Sequence, residues 1–253
     1  MFVQCLGSGD AFGSGGRMNT SFFIRYRGKG IILDCGATTL VALKKAELSS
    51  LDLDFILISH LHGDHIGGIP FILTERQVKG DETRELTLIG PKGLKNIVDL
   101  MTRSLFPGIS ENLRFPVRYI EFETGDVIHE PDFVLATFSA RHAPSTNPHS
   151  LRLTLGKQTI AYSGDTEWNE NLIALCDLAE LFLCEGYAYN EPENFHMSIK
   201  ELIRQQSRLG AKRIVLTHLS QEALDSRADI PFEIAEDGMI LIDPSRDERA
   251  AKS

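Results

Sequence analysis

The chain has 253 residues, 42% hydrophobic and 24% charged, with a formal net charge of −9. That length buries a sizeable core and fits one large α/β domain or two small ones. The acidic balance argues against a generic basic nucleic-acid surface. It leaves an RNA or nucleotide substrate open, because divalent cations in a cleft would offset the charge where a phosphate sits.

No run approaches the roughly 18 apolar residues of a membrane span. The opening MFVQCLGSGD is too short an apolar stretch for a signal peptide, and no basic segment precedes it. A soluble, cytoplasmic protein is expected, with neither a membrane nor DNA as partner. Cys5, Cys35, Cys176 and Cys184 form no CxxC pair and lie beside no zinc-ribbon histidine, so reduced, buried thiols are expected.

In chain order, β-branched and aromatic runs predict strands at FVQCL, SFFIRYR, GIILDC, DFILIS, ELTLIG, FVLATF, SLRLTL, TIAYSG, LFLCE and RIVLTH. Helical patterns lie between them at TTLVALKKAEL, from Asp64 to about Leu73, and at LKNIVDLMTRSLF, NENLIALCDL and SIKELIRQQSRLG. In the last, Ile199, Leu202, Ile203 and Leu209 approximate a helical stripe, with Gly210 as a natural C-cap. Three strands come first, then strand–helix alternation, then an all-strand stretch between about 115 and 163, then alternation again. Two such half-patterns predict an α/β arrangement of two sheets packed face to face with helices outside. The expected organisation is a single domain over 1–253 with a loose tail from about 245.

The run HLHGDH follows the apolar strand DFILIS. On extended backbone, residues two apart point the same way, so His60 and His62 can reach one metal together. Gly63 permits a sharp turn, and Asp64 then falls at or near a helix start, where a carboxylate is favoured. His65 emerges at another angle and can serve a second ion. Imidazoles for one ion and an Asp–His pair for another suit Zn²⁺ or Mn²⁺. His142, Asp165 and His218 also follow predicted strands. Strand ends on one edge of a sheet sandwich converge on one cleft. The glycine-rich segment GSGDAFGSGGRMNTS is a candidate lining of that cleft, with Arg17, Asn19 and Ser21 as substrate contacts. A glycine-rich turn of purely structural use explains it equally well.

The runs LGSGDAFGSGGRMNTS, IILDCG, ISHLHGDHIGG, RHAPSTNPHSLRL, IAYSGDT and LTHLS resemble the metallo-β-lactamase fold hydrolases over nearly the whole chain. Within them the likeness is closest to the ribonuclease Z branch of phosphodiesterases. The resemblance implies a four-layer αββα sandwich with a dinuclear site at one edge of the sheets. It implies His60, His62 and His142 on a first metal, Asp64, His65 and His218 on a second, and Asp165 bridging both. It also implies Asp34 behind the site, orienting a ligand or the histidine loop. Glu185 and His196 match a Glu and a His that act together beside the metals, and with Asp64 they form the expected catalytic set. The implied cofactors are two divalent ions, zinc or else manganese. The implied chemistry is attack by a metal-bridging hydroxide, with Asp64 accepting its hydrogen bond and shuttling its proton. A homodimer is implied as well.

One departure bears on substrate. Ribonuclease Z enzymes usually carry a long glycine- and proline-rich arm between the third histidine ligand and the bridging aspartate, whereas His142 to Asp165 spans 23 positions filled by two short strands. The expected substrate is therefore a nucleotide, cyclic nucleotide or RNA-end phosphodiester. The alternatives are a tRNA 3′ endonuclease, or an ester, thioester or lactone hydrolase on the same metals.

Overall fold

The computed structural model describes residues 1–80, 84–109, 113–190 and 195–244; the tail expected to be loose lies outside them. In chain order the first half comprises β1 (Phe2–Gly7), β2 (Ser21–Tyr26), β3 (Lys29–Leu33), α1 (Thr39–Lys45), β4 (Leu53–Leu57), α2 (Gly63–Ile66), α3 (Ile69–Lys79), β5 (Leu86–Pro91), α4 (Leu94–Leu105) and β6 (Val117–Phe122). The second half comprises β7 (Val127–Glu130), β8 (Phe133–Ser139), β9 (His149–Leu155), β10 (Gln158–Tyr162), α5 (Asn171–Cys176), β11 (Leu181–Glu185), α6 (Ile199–Gln205), β12 (Ile214–Thr217), α7 (Gln221–Asp225), β13 (Glu233–Ile234) and β14 (Ile240–Ile242).

The described strands form two seven-stranded mixed sheets, ordered β14-β1-β2-β3-β4-β5-β6 and β13-β12-β11-β10-β9-β8-β7. Strand alternation sorts each apolar run between two cores. Phe22, Ile24, Ile31, Leu33, Leu151, Leu153, Leu181 and Leu183 meet between the sheets. Their neighbours Phe23 and Ile32 face α1, α3 and α4 on one outer side, while Phe182 and Cys184 face α5, α6 and α7 on the other. The result is the expected αββα layering. It also explains why β3, β4 and β11 read as continuous apolar runs: both of their faces are covered.

Two helices differ from expectation. The pattern from Asp64 to about Leu73 breaks into α2 and α3, and α3 runs on to Lys79. Gly68 donates its N–H to the Cys35 carbonyl and Pro70 opens α3, so the first turn serves the loop after β3 rather than one continuous helix. In α6, the Ser198 side chain caps the N-terminus by accepting from the Glu201 N–H. The helix ends at Gln205, a 3₁₀ turn follows at Gln206–Arg208, and Leu209 is extended. Gly210 is therefore not its cap; a Cβ there would lie 2.9 Å from Asp177 Oδ1, so this glycine permits a close approach. No helix among the described residues is long and apolar enough to cross a membrane.

Leu183 is fully buried between the sheets. Leu183→Ala removes its packing and leaves a cavity, and should lower unfolding free energy by about 2–5 kcal/mol. A urea titration should show a reduced midpoint at unchanged slope.

Candidate metal centre

Six strands deliver the site. β3 and β4 are parallel, β10, β11 and β12 are parallel, and β8 runs with β10 because two antiparallel steps separate them. Asp34 follows β3, His60 and His62 follow β4, and His142 follows β8. Asp165 follows β10, Glu185 ends β11 and His218 follows β12. Asp64 and His65 lie in the first turn of α2. Carboxyl ends of codirectional strands from both sheets thus meet at one edge, the usual place for a site in an α/β fold.

The side chains form two groups that share Asp165. His60, His62, His142 and Asp165 form one, and Asp64, His65, Asp165 and His218 the other; within each group the ligand-type atoms lie within 4.8 Å of one another. Asp165 Oδ2 is 3.7 Å from His60 Nε2, 3.9 Å from His142 Nε2 and 3.4 Å from both His65 Nε2 and His218 Nε2. Asp64 Oδ2 is 3.1 Å from His65 Nε2 and 3.2 Å from His218 Nε2. His62 Nδ1 is 3.2 Å from His60 Nε2 and 3.0 Å from His142 Nε2.

Hydrogen bonds behind the rings fix their tautomers, as assigned from the partners. Asp34 is fully buried, and its carboxylate accepts from the Ser59 N–H at 2.7 Å and from Ser59 Oγ, His65 Nδ1 and Tyr162 Oη at 2.6 Å each. With its proton given to Asp34, Ser59 Oγ accepts from His60 Nδ1 at 3.0 Å. His142 Nδ1 donates to the Phe195 carbonyl at 2.8 Å. Each of these bonds occupies Nδ1 and leaves Nε2 of His60, His65 and His142 turned toward the cluster.

That donor set fits divalent cations. His65 Nε2 is buried with no hydrogen-bond partner, as are Asp165 Oδ1 and His218 Nδ1. His65 Nε2 faces two carboxylates at 3.1 and 3.4 Å, so positive charge is favoured there: burial opposes it, but Asp165, Asp64 and Asp34 outweigh burial and raise the His65 pKa well above its ordinary value. Burial, then the charges of His65, His142 and His62, hold the His60 pKa well below its ordinary value, so the ring is neutral. Burial, then His142, also lowers the His62 pKa. Burial opposes charge on His218, but Asp165, Asp64 and Glu185 outweigh it and lift its pKa to about 9. Burial likewise opposes ionised Asp165 and Asp64, yet His218, His65 and His60 hold Asp165, and His65 and His218 hold Asp64, far below the carboxylate range. The carboxylates therefore favour cations in the cluster, and the neutral rings offer lone pairs to them.

Beside the cluster, Glu185 is fully buried. Its Oε2 accepts the N–H groups of Thr166 at 2.7 Å and Met197 at 3.1 Å, and its Oε1 accepts His196 Nδ1. Burial lowers the His196 pKa, but Glu185 more than compensates and raises it. The His196 ring stacks on Tyr187 at 4.3 Å and meets His142 edge-on at 4.8 Å.

Arg17, Asn19 and Ser21 are brought near the loop after β1 but are engaged in holding it. Arg17 donates to Ser8 Oγ, the Ala235 carbonyl and Glu236. Asn19 exchanges hydrogen bonds with Thr38 and donates to the Asp10 carbonyl. Ser21 is fully buried, with its hydroxyl on the Asp34 carbonyl. Each of the three thus has partners within the chain that hold it in place. Sequence reasoning missed Ser59, Tyr162 and Phe195. Ser59 and Tyr162 sit next to the histidine and SGD runs, which was the available signal; Phe195 acts through its carbonyl, which no side-chain pattern reveals.

A Cβ on Gly36 would lie 1.9 Å from the Asp64 carbonyl and 2.6 Å from Asn19 Cβ. Gly36→Ala must therefore displace the turn that carries Asp64 and His65. Affinity for a divalent ion, measured by competition with a chromophoric chelator, should fall about 10- to 100-fold, as when outer-shell support of a metal site is lost. Unchanged affinity would show that this turn does not set the site.

Comparison with known proteins agrees with this construction. Ribonuclease Z of Methanothermobacter thermautotrophicus is 28% identical, with 87% of each chain covered. Ribonuclease Z of Agathobacter rectalis is 26% identical, covering 84% of this chain and 85% of that protein. Among solved structures, the short form of human tRNase Z superimposes with a TM-score of 0.78 at 25% identity, covering 96% of this chain and all of that one (100%). YhfI from Bacillus subtilis, described as a metallo-β-lactamase fold protein, gives 0.76 at 21% identity over 95% and 99% of the two chains, a likeness of fold. The chain has the metallo-β-lactamase fold and lies in its ribonuclease Z-like branch. A family model described as anti-Pycsar protein Apyc1 matches residues 1–238, and the chain belongs to that family.

Proposed function

We propose that this protein is a dinuclear, metal-dependent phosphodiesterase acting on a nucleotide-type phosphodiester. One observation carries the reading: two ligand groups share Asp165, and a third, Asp165–Glu185–His196–His218, joins a carboxylate-held histidine to the same carboxylate. His60, His62 and His142 would hold one ion, Asp64, His65 and His218 the other, and Asp165 both, with Zn²⁺ or Mn²⁺ suiting the donors. When bound, the pair supplies Lewis-acid activation of water and neutralises charge building on the phosphoryl oxygens.

The chain's own groups do the rest. Asp64, kept ionised by His65 and His218, accepts a hydrogen bond from the attacking water and orients it. His196, with Nδ1 bound to Glu185, has Nε2 as its available proton site. From there it donates to the leaving oxygen or to a phosphoryl oxygen as charge develops. Asp34 keeps His65 and, through Ser59, His60 in the tautomers that present Nε2.

A small substrate is supported by the interval from His142 to Asp165. Its strands β9 and β10 join through a tight turn at Gly156, whose φ is +63°, and Lys157, with no room for a tRNA-gripping arm. The relatives named ribonuclease Z and tRNase Z favour RNA 3′ ends as the second reading. The four cysteines are free and buried, which supports a reducing, cytoplasmic setting.

The test compares bis(p-nitrophenyl) phosphate with a lactone, a thioester and nitrocefin, using protein stripped of metal and reloaded with Zn²⁺ or Mn²⁺. Chelation should abolish phosphodiester turnover and either ion should restore it; faster turnover of a lactone, thioester or lactam would refute the reading. His196→Ala should lower kcat about 10²- to 10⁴-fold, the usual worth of a positioned acid or base, while metal content by plasma emission holds. Asp165→Ala should instead lower metal content itself.

A further inference from the structure

Phe195 is held in an unusual way. Its φ is +71°, a left-handed conformation that is costly for a bulky residue. Both of its backbone polar groups are engaged: the N–H donates to Glu167 Oε1 at 2.8 Å, and the carbonyl accepts His142 Nδ1 at 2.8 Å. If the carbonyl were all that mattered, glycine would supply it without strain. Instead the position carries a phenyl ring that is 45% exposed. That ring stands edge-on to His142, with centroids 6.4 Å apart at 82°. The next residue is His196, the candidate proton donor. A half-exposed aromatic ring thus stands beside His142, with His196 next in the chain and Glu167 on its backbone N–H.

We infer that Phe195 is the platform on which the base of a nucleotide substrate stacks. The inference rests on the phosphodiesterase reading and deepens it by naming the group attached to the scissile phosphate. An exposed ring beside polar side chains suits a planar ligand with polar edges better than an aliphatic one. Base–aromatic stacking tolerates any base, because each has a π-face.

The test uses the metal-loaded full chain and two esters with one leaving group: thymidine 5′-(p-nitrophenyl) phosphate, which carries a base, and ethyl p-nitrophenyl phosphate, which carries none. Phe195→Leu keeps an apolar side chain and removes the π-face. The KM for the thymidine ester should rise roughly 5- to 150-fold more than that for the ethyl ester, the range expected for one stacked base. Phe195→Trp should recover it. Calorimetry provides a readout free of turnover: Phe195→Leu should weaken thymidine 5′-monophosphate far more than inorganic phosphate. Equal losses on both esters would overturn the proposal, because they would mark a backbone that only holds His142. No change on either ester would overturn it too. Wild-type protein that turns over neither ester overturns the phosphodiesterase reading and this inference together, whereas active protein without the difference overturns the stacking alone.

Discussion

The carboxylate of Asp34 is buried beyond the reach of solvent, and the rest of the site depends on how it is satisfied. A lone buried charge costs several kcal/mol. Here it is met by four donors from Ser59, His65 and Tyr162. Charge-assisted bonds of this kind contribute about 1.5–3 kcal/mol each, provided all are made together. The donors come from different layers: Ser59 and His65 follow β4 of one sheet, and Tyr162 ends β10 of the other. One side chain therefore locks the sandwich at its edge and sets the tautomers of two candidate ligands. Its φ of +54° is the local strain that aims it there.

In front of Asp34 the electrostatics reverse. Six of the chain's eight histidines gather around Asp64, Asp165 and Glu185. Some rings are kept neutral by burial and by one another, and others are drawn toward the charged form by the carboxylates. Clusters whose members are pushed in opposite directions occur more often at functional sites than in ordinary packing. The overall net charge of −9 says nothing of this, because it averages over the surface while the cluster is local.

Much of this was legible in the sequence because groups close together in sequence must be close in space. HLHGDH announced itself. His142, Asp165 and His218 were legible as strand ends, and the layer order followed from the two half-patterns of strands and helices. What was not legible is tertiary. Tyr162 reads as one more aromatic in a strand, and only the partner sheet reveals its hydroxyl's target. Phe195 works through backbone atoms. The helices α2 and α7 are too short to show a stripe, and β13 and β14 too short to show alternation. Gly210 mimicked a helix cap because a close approach and a cap ask for the same residue. For Arg17, Asn19 and Ser21 composition leaves two readings, because a glycine-rich loop can cradle a ligand or simply turn.

The pairing of β1 with β14 carries a different kind of consequence. The first strand has β2 on one side and, on the other, a strand that begins at Ile240; Cys5 is bonded there as well, through Met239 and Gly238. Whenever β14 is detached, the outer edge of β1 presents an open row of N–H and C=O groups to any passing strand. β14 has three residues, Ile240–Ile242, and is the shortest strand of its sheet, so few ladder bonds hold that edge covered. Protection of the first sheet against mispairing therefore rests on a short strand that comes from a distant part of the sequence and opens more readily than the strands inside it.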